Sequence, residues 1–150
     1  MFGLQALLAY VISAPLTAAI RAADPVLGAV GLAGAVLAGG GLVFEAVADA
    51  QLAAFRRNET NRGGVMDRGL WAYTRHPNYF GECCVWWGFF LLALDAGAWW
   101  TLFSPLLMTG LLLKVSGVAL LEQDIGTRRP GYAAYIARTN AFIPGPRRGG

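Results

Sequence analysis

Charge is what this chain has least of. Of its 150 residues only 14% are Asp, Glu, Lys or Arg, against about a quarter in an ordinary soluble domain, while 56% are hydrophobic. That balance excludes a soluble globular domain and points to a membrane protein. Cysteine is nearly absent as well: Cys83 and Cys84 are the only two, and as neighbours at the start of an apolar stretch they argue against a structural disulfide or a metal site. His76 is the only histidine, too few for the three or four ligands of a zinc site, so no metal is expected. No basic region precedes the first apolar run, and Arg21 follows it, so that run reads as a retained helix and not as a signal peptide. No internal repeat is present.

Four stretches are long and clean enough to cross a bilayer, which takes about 20 apolar residues each: Leu4–Ile20, Val26–Ala48, Cys83–Trp100 and Thr101–Leu121. The last two meet at Asp95-Ala96-Gly97-Ala98-Trp99-Trp100, where a charge, a glycine and an aromatic pair suit a membrane–water interface and read as a short outer turn. Basic residues are divided unevenly. Arg21 stands alone between the first two stretches and none lies between the last two, whereas Arg56, Arg57, Arg62, Arg68 and Arg75 fill the middle segment and further arginines follow the fourth stretch. The positive-inside rule therefore places Arg56–Arg75, the tail Arg128–Arg148 and both termini in the cytoplasm. The net charge of +3 follows from that topology and carries no expectation of nucleic acid, because the arginines flank membrane segments and form no basic folded face. The fold class expected is all-α integral membrane, an up-and-down bundle of about four transmembrane helices with a cytoplasmic helical extension and a short C-terminal helix, in a single membrane domain over residues 1–150. Richness in Ala, Gly and Arg suits a bacterial inner membrane.

The second stretch carries Gly28, Gly31, Gly34 and the run Gly39-Gly40-Gly41. No strand precedes these glycines and they sit inside a span, so close helix packing explains them better than a nucleotide-binding loop; the run is expected to loosen the helix. Beyond it, Phe44 through Arg56 holds no breaker and many helix formers, so the helix is expected to continue into the cytoplasm with Glu45, Asp49, Leu52 and Arg56 on one face. Asn58-Glu59-Thr60-Asn61-Arg62-Gly63-Gly64 then reads as a turn. In the tail, Arg129-Pro130-Gly131 breaks the extension of the fourth helix, and Tyr132, Tyr135 and Arg138 recur on a short final helix. Pro144 and Pro146 are expected to end ordered structure.

Acidic side chains at membrane depth are costly, and Glu45, Asp49 and Glu82 all fall at or just inside the expected cytoplasmic ends of spans. Each is a candidate functional group; the plainer alternative for Asp49 is an ion pair with a nearby arginine that anchors the helix end. Lys114 falls near the middle of the fourth stretch, where it calls for a partner acid or a polar cavity. The densest segment, Arg68 to Glu82, sets Arg68, Arg75, His76, Asn78, Tyr73, Tyr79 and Glu82 at the mouth of a membrane helix. Pro77 suits the first helical turn, where a missing N–H costs nothing. The free amides of that turn and the bidentate reach of the arginines suit an anion such as a phosphate, with aromatic rings available to stack on a planar group. A basic and aromatic interfacial anchor accounts for the same residues equally well.

A family likeness runs through these segments. Phe44-Glu45-Ala46-Val47-Ala48-Asp49-Ala50-Gln51-Leu52, Phe55-Arg56, Asp67-Arg68-Gly69-Leu70-Trp71 and Arg75-His76-Pro77-Asn78-Tyr79-Phe80-Gly81-Glu82 resemble the C-terminal domain of the steroid 5-alpha-reductase superfamily, in particular its largely uncharacterised bacterial branch. Ser104-Pro105-Leu106-Leu107-Met108, Lys114-Val115-Ser116-Gly117 and Pro130-Gly131-Tyr132 through Ile143-Pro144 continue the likeness over nearly the whole chain. A shorter Arg-His-Pro-x-Tyr-x-Gly version also marks the isoprenylcysteine carboxyl methyltransferases.

The resemblance implies a helical membrane protein whose cytoplasmic mouth holds NADPH and whose lipid-like enone enters from the bilayer. It implies cofactor contacts from Asp49, Arg56, Arg75, His76, Asn78, Tyr79 and Glu82, with Lys114, Glu122, Tyr132 and Tyr135 closing over the cofactor. The reaction it implies delivers hydride to the β-carbon of an activated double bond while an acid near the carbonyl oxygen stabilises the developing negative charge. In that superfamily the substrate-side acid and tyrosine lie on upstream helices to which nothing here corresponds, so no catalytic residue is nominated, and a partner supplying those helices is one expectation. Three readings stay open: an NADPH-dependent membrane reductase domain, an S-adenosylmethionine-dependent methyltransferase acting on a lipidic or prenylated acceptor, and a non-catalytic module that assembles with itself or another membrane protein through its glycine-rich helix. Asn78 and the arginines favour the phosphate-rich cofactor. The expected partners are the bilayer and an apolar, lipid-like substrate whose identity no short sequence pattern encodes.

Overall fold

The computed structural model describes residues 2–22, 27–115 and 131–148, and among them the chain is helical, with no strand and one isolated parallel bridge between Thr74 and Asn140. The helices are α1 (Phe2–Ile12), α2 (Ala14–Ile20), α3 (Ala29–Arg57), α4 (Pro77–Asp95), α5 (Phe103–Gly110) and α6 (Tyr132–Arg138). Tight 3-10 turns lie at Glu59–Asn61, Gly69–Ala72 and Trp99–Leu102, and a π-helical turn follows α5 at Leu111–Val115.

The first apolar stretch is two helices, because Pro15 lacks the N–H that would continue the hydrogen-bond ladder of α1. Side chains reinforce the junction: the Ser13 hydroxyl donates to the carbonyl of Tyr10 at 2.8 Å and the Thr17 hydroxyl to that of Ser13 at 2.8 Å. α3 runs for 29 residues through the polar segment to Arg57, as expected, and it is the one helix among the described residues long and apolar enough to cross a membrane. Gly39-Gly40-Gly41 does not loosen it. Each glycine lowers helix propensity by only about 1 kcal/mol, which good helix formers on both sides offset. α4 has 19 residues, but Asn78, Tyr79 and Glu82 in its opening turns dilute its apolarity. α5 and the π-helical turn cover the fourth expected span as far as Val115, and its remainder lies outside the described residues. Of the four expected spans, one is thus present as a single long apolar helix.

The chain divides into two compact units, Met1–Leu42 with Cys83–Gly110 and Val43–Glu82 with Leu111–Gly150. In the first, α3 and α4 approach so closely that a Cβ on Gly34 would stand 2.7 Å from the Gly88 carbonyl oxygen, and one on Gly88 would stand 2.6 Å from the Ala38 nitrogen. The outer turn forms where expected, with Gly97 at φ +82° just past α4. It also brings back Asp95, whose carboxylate accepts the Gly28 N–H at 2.8 Å at the positive end of α3. Thr109 joins α4 to α5: its hydroxyl donates to the Pro105 carbonyl at 2.6 Å and accepts from Trp87 Nε1 at 3.2 Å, with the Cys83 thiol 3.3 Å away.

In the second unit, the tail past α6 keeps its order beyond Pro144, contrary to the sequence-based expectation. Its backbone is tied down, since the Gly145 N–H donates to the Tyr73 carbonyl at 3.1 Å and the Arg148 N–H to that of Arg138 at 2.9 Å. The buried Thr74 hydroxyl donates to the Phe142 carbonyl at 2.8 Å, and the Phe142 ring meets Phe80 edge-on at 5.9 Å. Phe80 in turn meets Phe44 at 5.7 Å, so one aromatic ladder ties the tail, α4 and α3 together.

Candidate functional site

The start of α4 lies in the second unit. Pro77 occupies the first helical position and is fully buried, and the carbonyl of His76 before it accepts the Phe80 N–H at 3.1 Å. The approach to that helix is pinned by backbone bonds to the tail: Thr74 bridges Asn140, and the Arg75 N–H donates to the Asn140 carbonyl at 2.9 Å. His76 is 4% exposed and its ring stacks on Tyr79 at 5.7 Å, with 6° between the planes. The arginine, histidine and tyrosine of the motif are therefore held by the fold before any ligand arrives.

Arg75 has a definite task. Its Nη1 donates to the carbonyls of Thr139 at 2.7 Å and Ile136 at 3.2 Å, the end of α6, where unsatisfied carbonyls and the helix dipole both favour a cation. Tyr135, nominated to close over a cofactor, is 2% exposed, and its hydroxyl donates to the Trp71 carbonyl at 2.6 Å. Burial, with Tyr132 beside it, pushes the Tyr135 phenol far above its ordinary 10.0, so it remains a donor at any working pH. Trp71 passes the connection on, its Nε1 donating to the Ala48 carbonyl at 3.0 Å. α6, the Gly69–Ala72 turn and α3 are thus joined through two side chains.

Every residue nominated from the sequence falls within the sequence of this second unit. Glu122 lies outside the described residues. Asp49, Arg56 and Lys114 are exposed, Asn78, Tyr79 and Glu82 half-buried, and Tyr132 buried against Tyr135 with ring centroids 5.7 Å apart. Lys114 stands on the π-helical turn, an irregularity frequent at functional sites, and not in the regular helix that the sequence predicts. Burial, and after it the carboxylates of Glu45 and Asp49, push the Glu82 carboxyl above its ordinary 4.5. Two helices therefore gather three acids near one another. Among the described residues no counter-ion accompanies them, and no group of three His, Cys, Asp or Glu side chains is arranged to hold a metal ion.

Some residues that build this frame escape a reading of the sequence. Gln51 accepts the Leu70 N–H at 2.9 Å and leaves no room beside Gly69, where a Cβ would stand 2.5 Å from its Oε1. Gly69 also takes φ +58°, which explains the glycine in Asp67-Arg68-Gly69-Leu70-Trp71. Asp67 accepts from Arg138 Nη2 at 2.5 Å, and its backbone carbonyl accepts from Arg147. An acid followed at long range by arginines in a terminal tail is too common a pattern to identify such a pairing from sequence.

Residues 1–139 match a family profile described as "Protein of unknown function (DUF1295)", and the chain belongs to that family. No curated protein and no solved structure matches it significantly.

Proposed function

We propose that this chain, as a member of a steroid 5-alpha-reductase-like family, is the cofactor-binding part of a membrane reductase that uses NADPH to reduce the C=C bond of an apolar, lipid-like enone. The observation that carries the reading is that every nominated residue among those described belongs to one compact unit. An interfacial anchor needs no such gathering, because its basic and aromatic residues serve one by one.

A pyridine dinucleotide requires cations for its phosphates and polar groups for its ribose hydroxyls and carboxamide. Arg56 and Arg57 in the last turn of α3 and Arg68 before α4 are exposed, half-buried Asn78 offers an acceptor and a donor, and the carboxylates of Asp49 and Glu82 offer acceptors. These residues fit such a group, which when bound supplies hydride. On this reading Arg56 attracts the phosphates, Asn78 orients the carboxamide, and Glu82, easier to protonate than an ordinary carboxyl, serves as donor or acceptor. Arg75 and Tyr135 hold the frame through α6 and Trp71.

The bilayer setting is supported by α3. Most of its apolar stretch is exposed, Leu32, Val36, Leu42 and Val43 among it, a surface that suits lipid better than water. With the likeness to the bacterial branch and the distribution of arginines, this supports an inner-membrane protein of about four spans with cytoplasmic termini.

One observation favours a second reading. The Glu45, Asp49 and Glu82 carboxylates suit a cationic cofactor, and the sulfonium of S-adenosylmethionine is a cation, so a methyltransferase acting on a lipidic acceptor is the alternative. The deciding experiment measures binding of NADPH and of S-adenosylmethionine to the purified full chain by equilibrium dialysis. Saturable NADPH binding, weakened in Asn78→Ala, is the expected result; saturable adenosylmethionine binding without NADPH binding would replace the reductase reading.

A further inference from the structure

Within the first unit lies a cavity of about 450 Å³, inside the range of about 300–1,000 Å³ usual for small-molecule sites. One wall comes from Tyr10, Ala14, Ala18 and Arg21, which recur at near-helical spacing across the α1–α2 junction; Trp100 and Phe103 supply the other. The small side chains of Ala14 and Ala18 leave the space open. The aromatic wall is ordered, its two rings stacked at 6.4 Å with 26° between the planes.

The charge in the cavity lining is chemically singular. Arg21 is the only basic residue in the whole sequence of Met1–Leu42 and Cys83–Gly110. It lines the cavity at the C-terminus of α2, and among the described residues it has no ion pair; the described acid of this unit, Asp95, is engaged by the Gly28 N–H. An apolar pocket with one guanidinium-bearing residue in its lining is complementary to an apolar ligand with one planar negative group. A zwitterionic headgroup would bring a cation for which the lining supplies no acid. A two-chain lipid also exceeds what a single cavity of this volume encloses.

We propose that this cavity binds a long-chain fatty acid, its carboxylate on the Arg21 guanidinium and its chain against Trp100 and Phe103. The inference is independent of the cofactor reading, which concerns the other unit. It makes Arg21 a binding residue, beyond its place just after the first apolar stretch.

The test titrates the purified full chain, in non-ionic detergent, with a bromine-labelled long-chain fatty acid, its methyl ester and a bromine-labelled phosphatidylcholine, reading tryptophan fluorescence. The carboxylate should quench saturably, and Trp100→Phe should reduce that quenching, with Trp99 beside it keeping a part. The methyl ester and Arg21→Gln should each weaken apparent affinity by about tenfold, the worth of one charge-assisted hydrogen bond, with partial recovery in Arg21→Lys. Ala18→Leu, which fills the cavity, should abolish saturation, with helical circular dichroism checking that the variant folds. Equal quenching by the methyl ester or the phosphatidylcholine, or undiminished affinity in Arg21→Gln, would overturn the proposal whatever the outcome for Ala18→Leu.

Discussion

Removing the Arg75 guanidinium leaves the carbonyls of Ile136 and Thr139 without their charged donor. Hydrogen bonds to charged groups contribute about 1.5–3 kcal/mol, so Arg75→Gln should lower the melting temperature of the ligand-free protein by an amount equivalent to about 2 kcal/mol. An unchanged ligand-free melt would mean that Arg75 serves a ligand and not the frame. Glu82 gives a pH signature of its own. Its folded-state carboxyl is raised, so the stability tied to it is fully present below the ordinary 4.5 and is lost as pH rises through the folded-state value. Glu82→Gln cannot ionise. Melting temperatures across the acid range should therefore show the variant gaining on the parent as pH rises, and parallel curves would contradict the upward push on the Glu82 carboxyl by its burial and by Glu45 and Asp49. Both residues are prominent in the sequence, but their tasks are not. Arg75 looks like an anion ligand until its distance to α6, a contact across more than sixty positions, is known.

The glycines of α3 divide into two kinds that a sequence cannot separate. Gly34 faces Gly88 with backbone atoms less than 3 Å from where a Cβ would stand, whereas nothing lies within 4 Å of a Cβ on Gly39 or Gly40. Gly34→Ala should therefore cost about 1–3 kcal/mol by overpacking, while Gly39→Ala and Gly40→Ala should stabilise by about 0.5–1 kcal/mol through helix propensity. Detergent melts of the single variants check both, and destabilisation by Gly39→Ala would show a packing partner on that face. The elements themselves were mostly legible. Hydropathy and the absence of breakers located α3 and its polar extension, Pro77 marked the start of α4, and Gly131 with the tyrosine spacing marked α6. What escaped were breaks that depend on single backbone atoms, such as the proline junction at Pro15, and a tail ordered by bonds to residues far away in sequence.

The two compact units separate the chain's chemistry: apolar helices, Arg21 and a cavity in one; the acids, Asn78 and the Arg-His-Pro motif in the other. Sequence reading reached the second set because its residues cluster in motifs. It missed the cavity, because Tyr10, Ala14, Ala18, Trp100 and Phe103 form no pattern until the chain folds. Cofactor identity is the remaining question, and binding linkage answers it directly. A ligand at about 100 times its dissociation constant stabilises the folded state by about 2.7 kcal/mol. The decisive measurement is the thermal stability of the detergent-purified full chain with NADPH, NADH or S-adenosylmethionine, repeated in Asn78→Ala and Glu82→Ala. Stabilisation by NADPH in the parent, lost in both variants, is the predicted result; no stabilisation by NADPH at millimolar concentration would contradict the reductase reading.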